Sequence, residues 1–225
     1  MAGSEKHRTC TGDAKGCDGC ALDGDLNCRF EREKLIGFLV MVLPFVTASV
    51  LGLYIVGTIM RSQTFLVAYG AFFVVFFVFI ESWILCRHCP HYAREGSIIR
   101  CHANYGLPRI WKYDPRPLNG LERAGVLAGF GVFGLYPITV EGYGIWTLFV
   151  AMRFVNPPGG LLLMGVTLFN TVSAIALLIL LRRHYCARCV NFGCPLNNTS
   201  PDLKSAYLAR NPDIKPLWEE ASGCA

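Results

Sequence analysis

Four long apolar stretches dominate this sequence and set the class of fold that it can adopt. They comprise residues 35–60, 64–85, 124–140 and 160–181. Arg61 ends the first stretch, and Glu81 is the one charged residue inside the second. A helix needs about 20 apolar residues to cross the hydrocarbon core of a bilayer, and charged residues make up only 16% of this chain. The sequence therefore predicts an all-α membrane protein with four transmembrane helices in contact with the lipid bilayer.

The segments between these stretches carry nearly all of the positive charge. Four crossings return the chain to its starting side, so residues 1–34, 86–123 and 182–225 are expected to share one compartment. They hold 19 of the 21 Lys and Arg residues, and the positive-inside rule places such segments in the cytoplasm. We therefore predict a multi-pass protein of the cell (inner) membrane with both termini in the cytoplasm. We also expect residues 144–155 to form a helix that lies in the membrane interface.

This pattern divides the chain into five parts. We predict, in order, a cysteine-rich cytoplasmic N-terminal arm (1–34), a first transmembrane hairpin (35–85), a Cys/His-rich cytoplasmic segment (86–123), a second transmembrane hairpin (124–181) and a cysteine-rich cytoplasmic C-terminal segment (182–225). A Cys-x-x-Cys sequence follows each hairpin, Cys86 to Cys89 and Cys186 to Cys189. This weak internal repeat predicts two equivalent thiol pairs side by side.

The cysteines fall into three groups, all on the predicted cytoplasmic side. The groups are Cys17, Cys20 and Cys28, preceded by Cys10; Cys86, Cys89 and Cys101; and Cys186, Cys189 and Cys194. Because the cytosol keeps thiols reduced, spaced cysteine pairs there indicate metal ligands or redox chemistry rather than disulfides. A two-residue gap lets both sulfurs of one turn point at one ion. Cys224 belongs to none of these groups and is interpreted as a small apolar residue without a ligand role. The nine grouped cysteines are therefore the predicted metal ligands.

The identity of the metal stays open between iron–sulfur and zinc. Zinc is favoured by imidazoles, since Cys86, Cys89 and Cys101 with one of His88, His91 or His102 would form a Cys₃His site, and Cys10, Cys17, Cys20 and Cys28 a Cys₄ site. Iron–sulfur is favoured by Cys89-Pro90 and Cys194-Pro195, because a proline often follows a cluster cysteine. A four-iron cluster would have to gather its ligands from two segments.

Two polar residues interrupt the apolar stretches. Glu81 lies five residues before Cys86, and an ionisable group inside a span is a functional candidate by default. We predict that Glu81 is a catalytic group that takes a proton from quinol. The alternatives are a cation-binding carboxylate, or a carboxylate that reaches the headgroup layer or pairs with Arg87. Asn170 is expected to form hydrogen bonds between helices.

Three stretches carry a resemblance to known proteins: Cys86-Arg-His-Cys89-Pro90-His91-Tyr92, Cys101-His102-Ala-Asn-Tyr-Gly and Cys189-Val-Asn-Phe-Gly-Cys194-Pro195-Leu-Asn. Through them the chain resembles a family of small four-helix membrane proteins of anaerobic bacteria and archaea with cytoplasmic Cys-x-x-Cys-Pro motifs. This resemblance implies the four-helix architecture but no activity. More distantly, it is similar to the membrane quinol dehydrogenase subunits of nitrate and nitrous-oxide respiration. That resemblance implies electron transfer from quinol, although those subunits carry Cys-x-x-x-Cys-Pro and tandem ferredoxin runs.

The predicted function follows from thiol pairs placed at the ends of membrane helices. We predict a membrane anchor that binds cysteine-ligated metal, with iron–sulfur as the leading choice, and passes electrons between a cytoplasmic redox protein and the quinone pool. The alternative is a zinc-stapled structural or assembly protein without catalysis. Either could be a subunit of a larger membrane complex. No nucleic-acid recognition motif occurs, so the basic residues are attributed to membrane topology.

Overall fold

The computed structural model describes residues 20–94, 96–151 and 157–223. Its regular structure is helical, and no β-strand occurs among these residues. The helices are α1 (Arg32–Ile59), α2 (Thr64–Val74), α3 (Glu81–Ile84), α4 (Gly120–Trp146), α5 (Pro157–Leu180), α6 (Pro201–Ala209) and α7 (Lys215–Gly223). The predicted ligand Cys17 lies outside the described residues, as do Cys10 and Cys224.

Short π-helical and 3₁₀ segments extend several of these helices. The π-helical segments are Val75–Ile80, Thr147–Ala151 and Leu181–Tyr185. Within the described part of the chain, four continuous helical stretches are long and apolar enough to cross a membrane: Arg32–Ile59, Thr64–His88, Gly120–Val150 and Pro158–Arg188. The prediction of an all-α chain with four membrane-length helices is confirmed.

The third of these stretches differs from its predicted bounds. The sequence placed it at residues 124–140, but it extends over Gly120–Val150 and contains Glu141. The predicted span stopped before Glu141 because a charged residue ends an apolar run. In the fold, Glu141 is fully buried and accepts a hydrogen bond from Asn170. The predicted interface helix at residues 144–155 is therefore wrong in its first part, because α4 and its π-helical extension continue through Ala151. Residues 152–156 lie outside the described residues.

The chain divides into two compact units. One comprises the described parts of residues 1–36, 80–126 and 181–225, and the other comprises those of residues 37–79 and 127–180. We call the first the cysteine unit, because it contains every described cysteine, and the second the bundle unit, because it consists of the middle parts of the four long helices.

The bundle unit packs aromatic and aliphatic side chains around small residues. Its buried core consists of Leu53, Val56, Tyr69, Val140, Leu148 and Leu163. A side chain at Gly129 would overlap the ring of Phe76, so the glycine permits close helix packing. Pro137 lacks an N–H, which leaves the carbonyl of Phe133 without its usual helical donor. The hydroxyl of Tyr69 donates to that carbonyl at 3.0 Å.

The cysteine unit has apolar clusters of its own. The larger one contains Leu22, Leu26, Cys89, Val190, Tyr207, Leu208, Ile214 and Trp218. Helix α6 begins directly after Ser200, whose hydroxyl caps it by accepting from the backbone N–H of Leu203 at 3.4 Å. Helix α7 is an additional element, and its Trp218 contributes to the cluster. These elements hold the cysteine-bearing loops against one another.

Candidate functional site

The two Cys-x-x-Cys loops adopt the same backbone conformation. Each follows a helix and begins with a 3₁₀ turn, Cys86–His88 in one and Cys186–Arg188 in the other. Cys89 has φ −83° and ψ 136°, and Cys189 has φ −83° and ψ 128°. The second cysteine donates its N–H to the carbonyl of the first, at 2.9 Å and 3.4 Å respectively. The predicted pair of equivalent loops is therefore present in the backbone.

The two loops lie next to each other in the cysteine unit. The buried side chain of Asn191 donates from Nδ2 to the carbonyl of Leu85 at 3.1 Å and so joins them directly. Cys89 lies near Cys189, and Cys86 lies near Cys194, close enough for their thiolate forms to repel each other. The two halves of the internal repeat thus bring their thiols together.

Cys101 completes this group from the loop that follows the first pair. It lies within electrostatic range of Cys86, Cys89 and Cys189. We call this group the six-thiol cluster; its members are Cys86, Cys89, Cys101, Cys186, Cys189 and Cys194. Cys86, Cys89 and Cys186 are buried, and the other three are half-buried. All six are free thiols.

A backbone N–H two residues further along the chain lies near four sulfurs of the cluster. The N–H of Asn191 donates to Cys189 Sγ at 3.4 Å. The N–H groups of His91, Ala103 and Leu196 lie near enough to Cys89, Cys101 and Cys194, respectively, to favour their thiolates. Successive N–H groups that converge on one acceptor stabilise an anion and are a recurring feature of iron–sulfur sites. The backbone is therefore shaped to stabilise thiolates at these four positions.

Burial opposes the ionisation that these N–H groups favour. Desolvation raises the pKa of the Cys89 and Cys101 thiols above their ordinary range, and it raises the pKa of Cys194 to about 11. Without a cation, these thiols are protonated at neutral pH. Because metals bind thiolates, metal binding at the cluster must release these protons.

The N-terminal arm reaches both loops through one residue. The N–H of Asn27 donates to the carbonyl of Arg188 at 2.7 Å, and His91 Nε2 hydrogen-bonds the carbonyl of Asn27 at 2.8 Å. Cys20 and Cys28 pack against the apolar cluster that contains Cys89, and Cys20 Sγ accepts from Arg210 Nη1 at 2.9 Å. The arm therefore places two more thiols in the same unit.

The three predicted histidine candidates differ in what their rings already contact. His88 accepts from Arg87 Nε at 3.1 Å and uses its other nitrogen on the carbonyl of Asp114. His102 Nε2 accepts from the N–H of Glu31 at 3.0 Å. His91 keeps a buried Nδ1 without a hydrogen-bond partner. Burial lowers the pKa of His91 to about 4, so its ring is neutral at pH 7 and Nδ1 carries a lone pair.

Glu81 is joined to the cluster by one amide group. Its side chain is buried, with 5% exposure, although Glu81 belongs to a membrane-length helix. Asn104 Nδ2 donates both to Glu81 Oε1, at 3.0 Å, and to Cys86 Sγ, at 3.1 Å. The other carboxyl oxygen, Oε2, is buried and has no hydrogen-bond partner. The alternative of a Glu81–Arg87 pair is wrong, because Arg87 bonds Glu122 at 3.0 Å.

No group of three or more His, Cys, Asp or Glu side chains among residues 20–94, 96–151 and 157–223 is already placed to hold a metal ion. The structure nevertheless gathers most of the predicted ligands: six in the cluster, with Cys20 and Cys28 in the same unit. Sequence reasoning missed Asn104 and Asn191, since an asparagine in a loop carries no periodic signal. The only available indication was their spacing from Cys101 and Cys189.

Fold and site together define a class of protein: a helical chain with four membrane-length helices and a compact unit of clustered thiols. Comparison with protein-family models, with curated proteins and with solved structures gives no match.

Proposed function

We propose that this chain is a membrane redox protein whose thiols hold an iron–sulfur cluster and which passes electrons between a cytoplasmic redox partner and the quinone pool. The observation that carries the proposal is the contact of Glu81 with Cys86 through Asn104. It joins a carboxyl group of a membrane-length helix to the cysteines. A quinol dehydrogenase needs this combination, because oxidation of quinol releases protons as well as electrons.

The donor set fits an iron–sulfur cluster. Cys89, Cys101, Cys189 and Cys194 are the ligands we propose first, because a backbone N–H lies near each sulfur and favours its thiolate. Hydrogen bonds to the sulfurs tune the reduction potential of such clusters. When bound, the cluster would accept and release single electrons. The eight described cysteines are numerous enough for a second four-cysteine site.

Glu81 supplies the proton chemistry of this proposal. Oxidation of one quinol yields quinone, two electrons and two protons. A cysteine-ligated cluster would take the electrons one at a time and pass each on to the cytoplasmic redox partner. Glu81 Oε2 has no hydrogen-bond partner, so it is free to accept a quinol proton and pass it on to water. Asn104 holds Oε1 throughout, which keeps the carboxyl oriented.

A zinc-stapled structural protein is the second candidate. The buried Nδ1 of His91 favours it, because His91 follows Cys89 by two residues and an imidazole nitrogen is a common fourth ligand in a Cys₃His zinc site. In this alternative the metal only holds the three segments of the cysteine unit together.

Metal analysis and visible and paramagnetic resonance spectra of anaerobically purified protein distinguish these functions. The redox proposal predicts iron and acid-labile sulfide, with a brown colour that bleaches when dithionite is added. A colourless protein that contains zinc alone would overturn the redox proposal and support the zinc staple.

The cytoplasmic orientation is also part of this proposal, and it rests on the positive charge of residues 1–34, 86–123 and 182–225. A reporter fused after residue 225 should be active in the cytoplasm, and one inserted near residue 158 should report the opposite side. In intact cells an impermeant maleimide should not label Cys86 or Cys186. Labelling of either cysteine would contradict the orientation.

A further inference from the structure

We propose that Ser49, Glu141 and Asn170 form a binding site for one monovalent cation, either a proton or Na⁺, inside the bundle unit. Glu141 Oε2 is the atom that binds it. This site is separate from the proposed redox function, because its residues all belong to the bundle unit and none of them contacts a cysteine.

The first observation is a buried carboxyl group without a countercharge. Glu141 has 0% exposure and belongs to the membrane-length stretch Gly120–Val150. In the part of the chain that the structure describes, no Lys, Arg or His forms an ion pair with it. A bare carboxylate in such surroundings is strongly disfavoured, so Glu141 requires a bound positive charge.

The second observation is the geometry around the two carboxyl oxygens. Asn170 Nδ2 donates to Glu141 Oε1 at 2.8 Å, and Asn170 Oδ1 accepts from Ser49 Oγ at 3.2 Å. These bonds fix the carboxyl group from α5 and α1. Oε2 is buried and has no hydrogen-bond partner. The carboxyl group is thus held in place with one oxygen available.

The surrounding groups are oxygen atoms without formal charge. The hydroxyl of Thr167 lies near enough to interact with Glu141 but donates to the carbonyl of Leu163 at 2.9 Å. Among the described residues, the titratable side chain near Glu141 is Tyr69 of α2, whose hydroxyl donates to the carbonyl of Phe133. Helices α1 and α5 present Ser49, Thr167 and Asn170, which do not titrate. Oxygen donors suit hard cations.

Charge and space together select a monovalent ion. One carboxylate neutralises one positive charge, whereas a divalent ion would leave a net charge in the apolar interior and demands six or more oxygens when it is Ca²⁺. A side chain at Gly52 would overlap Glu141 Oε1, so Glu141 packs directly against the backbone of α1.

The site lies deep within the membrane-length helices. Measured along each helix, its three residues lie about 14 to 18 Å from the nearer end of the helix: Ser49 from Ile59, Glu141 from Val150 and Asn170 from Pro158. That depth is about half of the hydrocarbon thickness.

The test is the thermal unfolding of the purified full-length protein in detergent, as a function of pH and of added NaCl, with choline chloride as the matched salt. A proton site predicts that Tm falls as the pH rises from about 5 to 9, because the unfolded chain gives up the proton to water while the bundle must keep it. A Na⁺ site predicts that Tm at fixed alkaline pH rises with Na⁺ but not with choline, because a ligand that binds only the folded state stabilises it.

Glu141→Gln keeps the size and the acceptor for Asn170 but removes the charge. The Tm of this variant should lose the Na⁺ response or the part of the pH response that Glu141 causes. Glu219→Gln, which removes an exposed carboxylate, should keep both responses. Wild type and Glu141→Gln with identical dependence on pH and on Na⁺ would overturn the proposal. If Glu141→Gln does not accumulate, Ser49→Ala decides instead. This variant retains the carboxyl group but loses the hydrogen bond to Asn170. The cation concentration, of H⁺ or Na⁺, at which Tm changes half-way should therefore shift by about tenfold. An unchanged midpoint would overturn the proposed site.

Discussion

Replacement of Cys89 or Cys189 by serine should strip the metal from the cysteine unit and lower the amount of protein that accumulates. Both cysteines lie close to Cys101, and Cys189 Sγ also accepts from the N–H of Asn191, so each is a central member of the proposed ligand set. Even changes in groups that only support a ligand cost 10–100-fold in metal affinity, and loss of a ligand should cost at least about tenfold. Metal content per protein, measured after gel filtration, gives the result.

Val190→Ala is the matched control for this experiment. Val190 is buried, with 1% exposure, and it lies beside Cys189 without being a ligand. Its truncation should cost about 1–3 kcal/mol of unfolding free energy and leave the metal in place. Cys224→Ser should change neither metal nor accumulation. Equal metal content in all four variants would show that Cys89 and Cys189 are not ligands.

Glu81→Gln should slow the quinol-dependent reduction of the metal centre by tenfold or more and leave metal content unchanged. Glutamine keeps the acceptor for Asn104 but cannot take a proton. The expected loss is on the scale of the 10²–10⁴-fold contribution of general acid–base groups. Stopped-flow measurement of reduction by a soluble quinol, repeated across pH, should also show that the variant has lost one titration that wild type displays.

Two controls keep the role of Glu81 separate from a structural effect. Glu219→Gln removes an exposed carboxylate that pairs with Lys215 at 3.5 Å, and it should reduce at the wild-type rate. Asn104→Ala retains the carboxyl but removes its bond to Oε1, so it should shift the pH profile rather than abolish reduction. A Glu81→Gln protein that reduces as fast as wild type, with an unchanged pH profile, would exclude Glu81 from proton transfer.

The membrane-length helices could be predicted from the sequence because lipid-facing and helix-facing positions are both apolar, so a simple run of uncharged residues marks each span. The same reasoning ended the third span early. Glu141 is tolerated inside the helix only because Asn170, 29 residues further along the chain, bonds it. A local pattern carries no information about that contact.

The candidate site could be predicted in part for a related reason. Cysteine spacing identified the thiols, since two ligands in one turn need a fixed separation. The contributions of Asn104 and Asn191 depend on loops with no regular period. The N–H groups that point at Cys89 and Cys189 also depend on φ and ψ values that residue types alone do not specify. The clustered cysteines could thus be predicted from the sequence, whereas the groups that contact them could not.

The cysteine unit is built from three segments that lie far apart in the sequence, and this has a consequence for biosynthesis. Cys20 bonds Arg210, and Asn27 bonds both Arg188 and His91, so the first and last parts of the chain must meet. At about 5–20 residues per second, roughly 10–40 s separate the synthesis of Cys20 from that of Arg210. During this interval the early thiols emerge from the ribosome without their eventual neighbours. On the proposed function, a metal can therefore reach a complete site only after residues 186–210 have been synthesised.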